Sequence, residues 1–251
     1  MLGYINKLTI VILLILFIVF TAMYIELYTK INYSSYTINI DDMYDIIETG
    51  DVIYFSYTNF LKPYFSHVGL AIVDDKNNKY ILEMNRHHND NDKIYLLEMD
   101  GHNNDRIYIG NDNGVSLNSL KTRIMTYRAE VPDVDIYISK LRNDKIPSLE
   151  TIMKFINKIP DYKNMYQFNN EFVNKVMFDC TRKKLLDMNV NDRRHGENSL
   201  ICSEFVMMCL RDLGIVQPDV DIYCKTPDDF LTLKDNRNKL YDRNYHVVLD
   251  K

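Results

Sequence analysis

The sequence predicts an α+β chain: an antiparallel sheet packed on a helix that bears a cysteine, with an N-terminal transmembrane helix ahead of both. Three observations predict it. Strand-like segments come first and helical ones later, the order of α+β rather than of alternating α/β proteins. A late helical segment, Leu200–Leu213, carries Cys202 in its first turn. Residues 8–25 form an unbroken apolar run. The length of 251 residues suits one ordinary domain plus an appendage.

The composition excludes several classes. A net charge of −5 and a pI of about 5.7 lack the basic footprint of a nucleic-acid binder, so no nucleic-acid partner is expected. With 8 Gly and 6 Pro, collagen-like and Gly/Pro-rich disordered chains are excluded. Four Cys are too few for a disulfide scaffold. A mean hydropathy of −0.27 excludes a polytopic membrane protein while leaving room for one apolar segment.

That segment is Leu8–Ile25, uncharged, with Thr9 and Thr21 as its polar members. As a helix it would rise roughly 27 Å, close to the hydrocarbon thickness of a bilayer. A cleaved signal peptide is the rival reading, but its apolar stretch would be shorter and no small-x-small site follows. Residues 1–30 are therefore expected to anchor the chain in a membrane through 8–25, with no side specified. Residues 31–50 read as a polar connector, and regular patterning starts at Asp51.

Val52–Tyr57, Ser66–Val73 and Lys79–Met84 are predicted strands, rich in β-branched and aromatic residues. Asp74-Asp75-Lys76-Asn77-Asn78 is turn chemistry, so the last two form a hairpin. Residues 85–113 are an insertion rich in Asn, Asp and His, with a short apolar run at 94–97. Arg106–Ile109 and Val134–Ile138 are further strands. Ser148–Ile159, Glu171–Met188 and Leu200–Leu213 are helices, the last with Asn198 or Ser199 as N-cap and Gly214 at its C-terminal cap. Thr226-Pro227-Asp228-Asp229 opens another helical turn.

Two segments carry chemistry. On the strand Ser66-His67-Val68-Gly69-Leu70-Ala71-Ile72-Val73, alternation buries Val68, Leu70 and Ile72 on one face. The other face carries His67, Gly69 and Ala71, small enough beyond the histidine for another element to approach the backbone closely. If the hairpin sets Gly69 across from Glu83, Glu83 becomes the diagonal neighbour of His67 and can orient its imidazole. A one-residue slip would destroy this. Cys202 falls in the first turn of its helix, where unpaired N–H groups and the macrodipole favour a thiolate. Against this stands the plainer reading. Cys202, Phe205, Val206, Cys209 and Leu213 recur at helical spacing, and buried cysteines are mostly inert. A lone His is likewise commonly a satisfied core residue.

DVIYF, SHVGLAIVD, ILEM and the late CSEFV helix together resemble the circularly permuted papain-like cysteine hydrolases. This is a branch of the NlpC-type superfamily that includes YiiX-like bacterial proteins, poxvirus and giant-virus relatives, and the lecithin retinol acyltransferase group. The similarity spans roughly residues 50–230, and its specific part is those four segments. It implies a permuted papain-like domain over 51–251, with Cys202 as nucleophile, His67 as general base and Glu83 as the third, orienting residue. Gly50-Asp51 resembles the family's opening segment, and the 85–113 insertion has no counterpart in it. The implied activity is a membrane-anchored thiol hydrolase or acyltransferase acting on an amide, ester or thioester through an acyl-enzyme. Its substrate carries an acyl or amide group, lipid-linked if the anchor sets the choice, and no cofactor is required. The alternative is a catalytically silent, membrane-tethered binding module that presents the insertion to a partner.

Other candidates are weaker. His87, His88, Asp90, Asp92 and His102 match no ordered metal-ligand spacing. Cys180, Cys209 and Cys224 lack a CxxC pair. Thr181-Arg182-Lys183-Lys184 reads as a solvated helix face.

Overall fold

Eight strands join into one sheet in the computed structural model, which describes residues 11–21, 35–57, 65–86, 106–109, 113–132, 134–164, 200–223, 225–235 and 238–248. In chain order they are β1 (Ser35–Asn39), β2 (Val52–Tyr57), β3 (Phe65–Val73), β4 (Lys79–Arg86), β5 (Arg106–Ile109), β6 (Asn113–Ser119), β7 (Val134–Leu141) and β10 (Tyr241–Val248). Two short strands, β8 (Lys234–Asp235) and β9 (Asn238–Lys239), form a separate ribbon. The helices are α1 (Ile40–Ile46), α2 (Leu120–Glu130), α3 (Leu149–Lys158) and α4 (Cys202–Asp212). Across the sheet the strands run β1-β10-β7-β2-β3-β4-β6-β5.

The α+β class holds, but two parts of the expected architecture do not. The sheet is mixed rather than antiparallel, because β1 pairs parallel with β10 while its other strand pairs are antiparallel. Nearly the whole chain separates these two strands, so no local turn signals their pairing. The expected transmembrane helix is also overturned. No helix among the described residues is long and apolar enough to cross a membrane.

Helices cover both faces of the sheet, and strand alternation sorts the core into two layers. On one face Val52, Tyr54, Val68, Leu70, Ile72, Leu82 and Val115 pack with Phe155 of α3 and with Phe205, Val206 and Cys209 of α4. On the other, Ile53, Phe55, Ala71, Ile81, Ile136 and Ile138 pack with Met43 of α1 and with Leu120, Ile124 and Tyr127 of α2. Burial on two sides explains why β2 and β3 read as nearly continuous apolar runs.

The turn into β2 is built on Gly50 and Asp51. Gly50 has φ +98°, and a Cβ there would lie 2.6 Å from Cδ2 of Leu141 and 2.8 Å from Cδ1 of Ile215, so glycine is required twice over. Asp51 is wholly buried and accepts from the amides of Glu48 and Leu141, each at 2.8 Å. Lys140 Nζ pairs with it at 2.8 Å and also donates to the Ile46 carbonyl at 2.6 Å. Burial pushes the Asp51 carboxyl up to about 6, against the opposing pull of Lys140. This one carboxylate ties the turn before β2 to the end of β7.

Most predicted elements fall where expected. Ser148 caps α3 by accepting from the Thr151 amide. Thr226 and Asp229 bracket a 3-10 helix at Pro227–Thr232, the Thr226 amide donating to Asp229 Oδ2 at 2.6 Å. The connector at 31–50 holds a strand and a helix, β1 and α1, capped by Asn39. Five elements of the main fold escape the sequence reading, β1, α1, β6, α2 and β10, as does the β8–β9 ribbon. The N-cap of α4 is Ile201, and the candidates Asn198 and Ser199 lie outside the described residues. So do the helix expected at 171–188, the basic run 181–184, Cys180, Cys224 and the His/Asp cluster at 87–102.

Candidate active site

The β3–β4 hairpin sets the geometry. Asp74 closes its turn, Oδ1 accepting from the amides of Lys76 at 3.0 Å and Asn78 at 2.7 Å, with Asn77 at φ +62°. The resulting register places Gly69 opposite Glu83 and Ala71 opposite Ile81. Glu83 thus becomes the diagonal neighbour of His67, and the side chains meet, with His67 Nε2 2.7 Å from Glu83 Oε2. Gly69 is small for a reason nearer than any helix. A Cβ there would lie 2.6 Å from Cδ1 and Cγ1 of Ile81, its diagonal neighbour on β4.

His67 stands beside an irregularity. Phe55 pairs with His67 while Ser56 pairs with Phe65, leaving one extra residue on β3. Bulges of this kind raise local twist and re-aim side chains. The imidazole lies over Phe55 with ring centroids 5.8 Å apart and runs nearly parallel to the Tyr127 ring at 6.0 Å.

Glu83 is wholly buried and fully engaged. Ser116 lies directly across from it on β6, and Asn118 is the diagonal neighbour. Asn118 Nδ2 donates to Glu83 Oε1 at 3.0 Å and also to Ser116 Oγ at 3.0 Å. Arg123 from α2 pairs through Nε with Oε1, and its Nη2 is 3.5 Å from Oε2. Burial pushes the Glu83 carboxyl up. Arg123, followed by His67, outweighs it and holds the carboxyl down to about 2. For His67, burial disfavours the imidazolium, but hydrogen bonding and charge from Cys202 and Glu83 carry it up to about 9. The ring is therefore protonated at neutral pH, with Nε2 committed to Glu83 and Nδ1 remaining for Cys202.

Cys202 is the first residue of α4 and is partly exposed. This helix packs on the bulky face of β3, against Val68, Leu70 and Ile72, and the element that covers the small face is α2. Cys202 nevertheless comes close enough to His67 to act on it. The start of α4 is held by two contacts. The Ile201 amide donates to Glu204 Oε2 at 3.3 Å, and Ser203 Oγ donates to the Lys225 carbonyl at 2.5 Å. Cys209, one face deeper, is wholly buried, and burial pushes its thiol well above the usual range.

The structure thus brings together all three residues singled out from sequence, Cys202, His67 and Glu83. Arg123, Asn118, Ser116 and Tyr127 were missed. Alternation of Val115 and Leu117 with Gly114, Ser116 and Asn118 was a usable strand signal. So was the spacing of Leu120, Arg123, Ile124 and Tyr127 along one helix face, though Lys121, Thr122 and Thr126 dilute it. No group of His, Cys, Asp and Glu among the described residues is arranged to hold a metal ion.

No protein-family model matches the chain, and no curated protein matches it.

Proposed function

We propose that the protein is a thiol hydrolase or acyltransferase acting on an amide, ester or thioester. The observation that supports this reading is the continuous line Cys202–His67–Glu83, ending on a buried carboxylate that is itself clamped. The resemblance to circularly permuted papain-like hydrolases points the same way.

The Cys202 thiolate attacks the carbonyl carbon, forming a C–S bond as the carbonyl electron pair moves to oxygen. Backbone N–H groups at the start of α4, including that of Cys202, face the developing oxyanion. Collapse of the intermediate expels the amine, alcohol or thiol, which takes its proton from the His67 imidazolium. Water or a second acceptor, deprotonated by the now neutral His67, then attacks the thioester and regenerates the Cys202 thiolate. Glu83 keeps Nε2 occupied and stabilises the imidazolium, leaving the catalytic proton on the side of Cys202.

The test is thiol reactivity in the full chain. Iodoacetamide labelling across pH 5–9, mapped by mass spectrometry, is expected to modify Cys202 well ahead of Cys209, and His67→Ala is expected to abolish that preference. A p-nitrophenyl acyl ester is expected to leave an acyl adduct on Cys202, seen as an intact-mass increase. Labelling of Cys202 no faster than of Cys180, Cys209 and Cys224 overturns the proposal in favour of a catalytically silent binding module.

A further inference from the structure

Arg123 lies on α2, the helix covering the face of the sheet opposite Cys202's own helix, and is buried there. Covering a sheet requires no charge at such a position. An aliphatic side chain would fill the space without the cost of dehydrating a guanidinium. The surroundings show where that charge is directed. Nε pairs with Oε1 of Glu83, and Nη2 reaches toward Oε2 at 3.5 Å, so both carboxylate oxygens are addressed. The guanidinium carbon sits 4.4 Å from the centroid of Tyr127, one helical turn on. Tyr127 stacks on Phe55 at 4.2 Å and lies within 17° of parallel to the His67 ring. One side chain of α2 therefore reaches the imidazole by two routes, through Glu83 and through the Tyr127 ring.

We infer that Arg123 is a positioning residue for the Cys202–His67 pair: it holds Glu83 against Nε2 of His67, so that Nδ1 stays turned toward Cys202. The inference rests on the thiol-chemistry reading above and adds to it a residue acting only through others. The groups facing Glu83 are His67 from β3, Ser116 and Asn118 from β6, and Arg123 from α2, with Cys202 of α4 beyond the imidazole. Arg123 supplies the permanent positive charge among them. Without it, a wholly buried Glu83 takes up a proton far more readily, and a neutral carboxyl neither orients nor stabilises an imidazolium.

The experiment is the pH profile of Cys202 alkylation by iodoacetamide in the full chain, with folding checked by circular dichroism. Arg123→Gln is expected to move the acid limb up by about one unit, lowering the rate at pH 5–6 about tenfold. Arg123→Lys keeps the charge but lacks the fork, and is expected to move the limb about threefold in rate at the same pH. In a Glu83→Gln background, Arg123→Gln is expected to shift the limb no further, because the carboxylate through which it acts is gone. A folded Arg123→Gln protein with an unmoved limb overturns the inference, as does an additional shift in the Glu83→Gln background. If Arg123→Gln does not fold, an Arg123→Lys limb coincident with the parent's overturns it. Preferential, His67-dependent labelling of Cys202 with no response to Arg123 defeats this inference alone. Absence of preferential labelling in the parent defeats the thiol reading and this one together.

Discussion

At Glu83, three side chains from three different elements converge on one buried carboxylate, and that convergence decides what the residue can do. A carboxylate held near 2 remains charged throughout the range in which His67 titrates, so it orients and stabilises the imidazolium without itself exchanging protons. Glu83→Gln removes the charge while keeping the shape. It is expected to lower the acylation rate about 10²–10⁴-fold, measured as release of p-nitrophenol from an acyl ester. A rate close to the parent's would show that Glu83 serves the fold alone. The two described cysteines make a matched control at the same scale. Cys202 and Cys209 lie two turns apart on one helix, yet burial removes Cys209 from reactivity while Cys202 stands at the exposed end beside a charged imidazole. The sequence pattern treats the two alike, since both fall on the apolar stripe.

Elements set the second scale, and the turn before β2 is the clearest case. Gly50→Ala meets a positive φ and two side chains already within van der Waals contact, so it is expected to destabilise the fold by about 1–3 kcal/mol in denaturant unfolding. Lys140→Met leaves Asp51 buried without its cation. The expected loss is about 3–5 kcal/mol at pH 8. Because burial already pushes the Asp51 carboxyl up to about 6, proton uptake relieves part of that loss, and the variant is expected to recover stability as pH falls to 5. A loss independent of pH would show that Asp51 does not titrate in the fold. The β3–β4 hairpin illustrates a different point at this scale. Its turn chemistry and alternation specify the register from sequence, and with the register comes the approach of Glu83 to His67.

In the whole molecule the coupled His67–Glu83 pair links folding to pH on two sides. His67 is raised from 6.5 to about 9, so its stabilisation is complete below 6.5 and is lost as pH rises through 9. Glu83 is lowered from 4.5 to about 2, so its stabilisation is complete above 4.5 and is lost as pH falls toward 2. Each limb amounts to about 3 kcal/mol at 1.36 kcal/mol per unit; the two overlap in the His67–Glu83 contact, with Cys202 contributing to the first and Arg123 to the second. Urea unfolding of the parent and of Glu83→Gln from pH 3 to 9 is expected to differ most between pH 4.5 and 6.5, to narrow as pH falls below 4.5, and to narrow only in part toward pH 9, where the Glu83–Arg123 pair persists in the parent. Parallel curves would remove the pair from the stability of the fold. The three-layer arrangement makes the linkage strong, since helices on both faces keep water from the centre of the sheet.

What was legible in the sequence was local. Strand alternation, the Asp74–Asn78 turn and the helix start at Cys202 were enough to bring out His67, Glu83 and Cys202, because period and turn chemistry act over a few residues. Three kinds of fact were not local. The parallel pairing of β1 with β10 joins strands about 200 residues apart in the chain, Ser35–Asn39 and Asn244–Val248, and no short-range signal encodes it. The apolar run at 8–25 met the composition expected of a transmembrane helix, but no helix among the described residues is long and apolar enough to cross a membrane. Which helix covers which face was decided by packing volume across the sheet. The bulky face of β3 took the cysteine helix and the small face took α2, which brought Arg123 and Tyr127 onto Glu83 and His67. Charge on a diluted helix face acquires its meaning only when that face is buried against a carboxylate, and tertiary structure alone brings the two together.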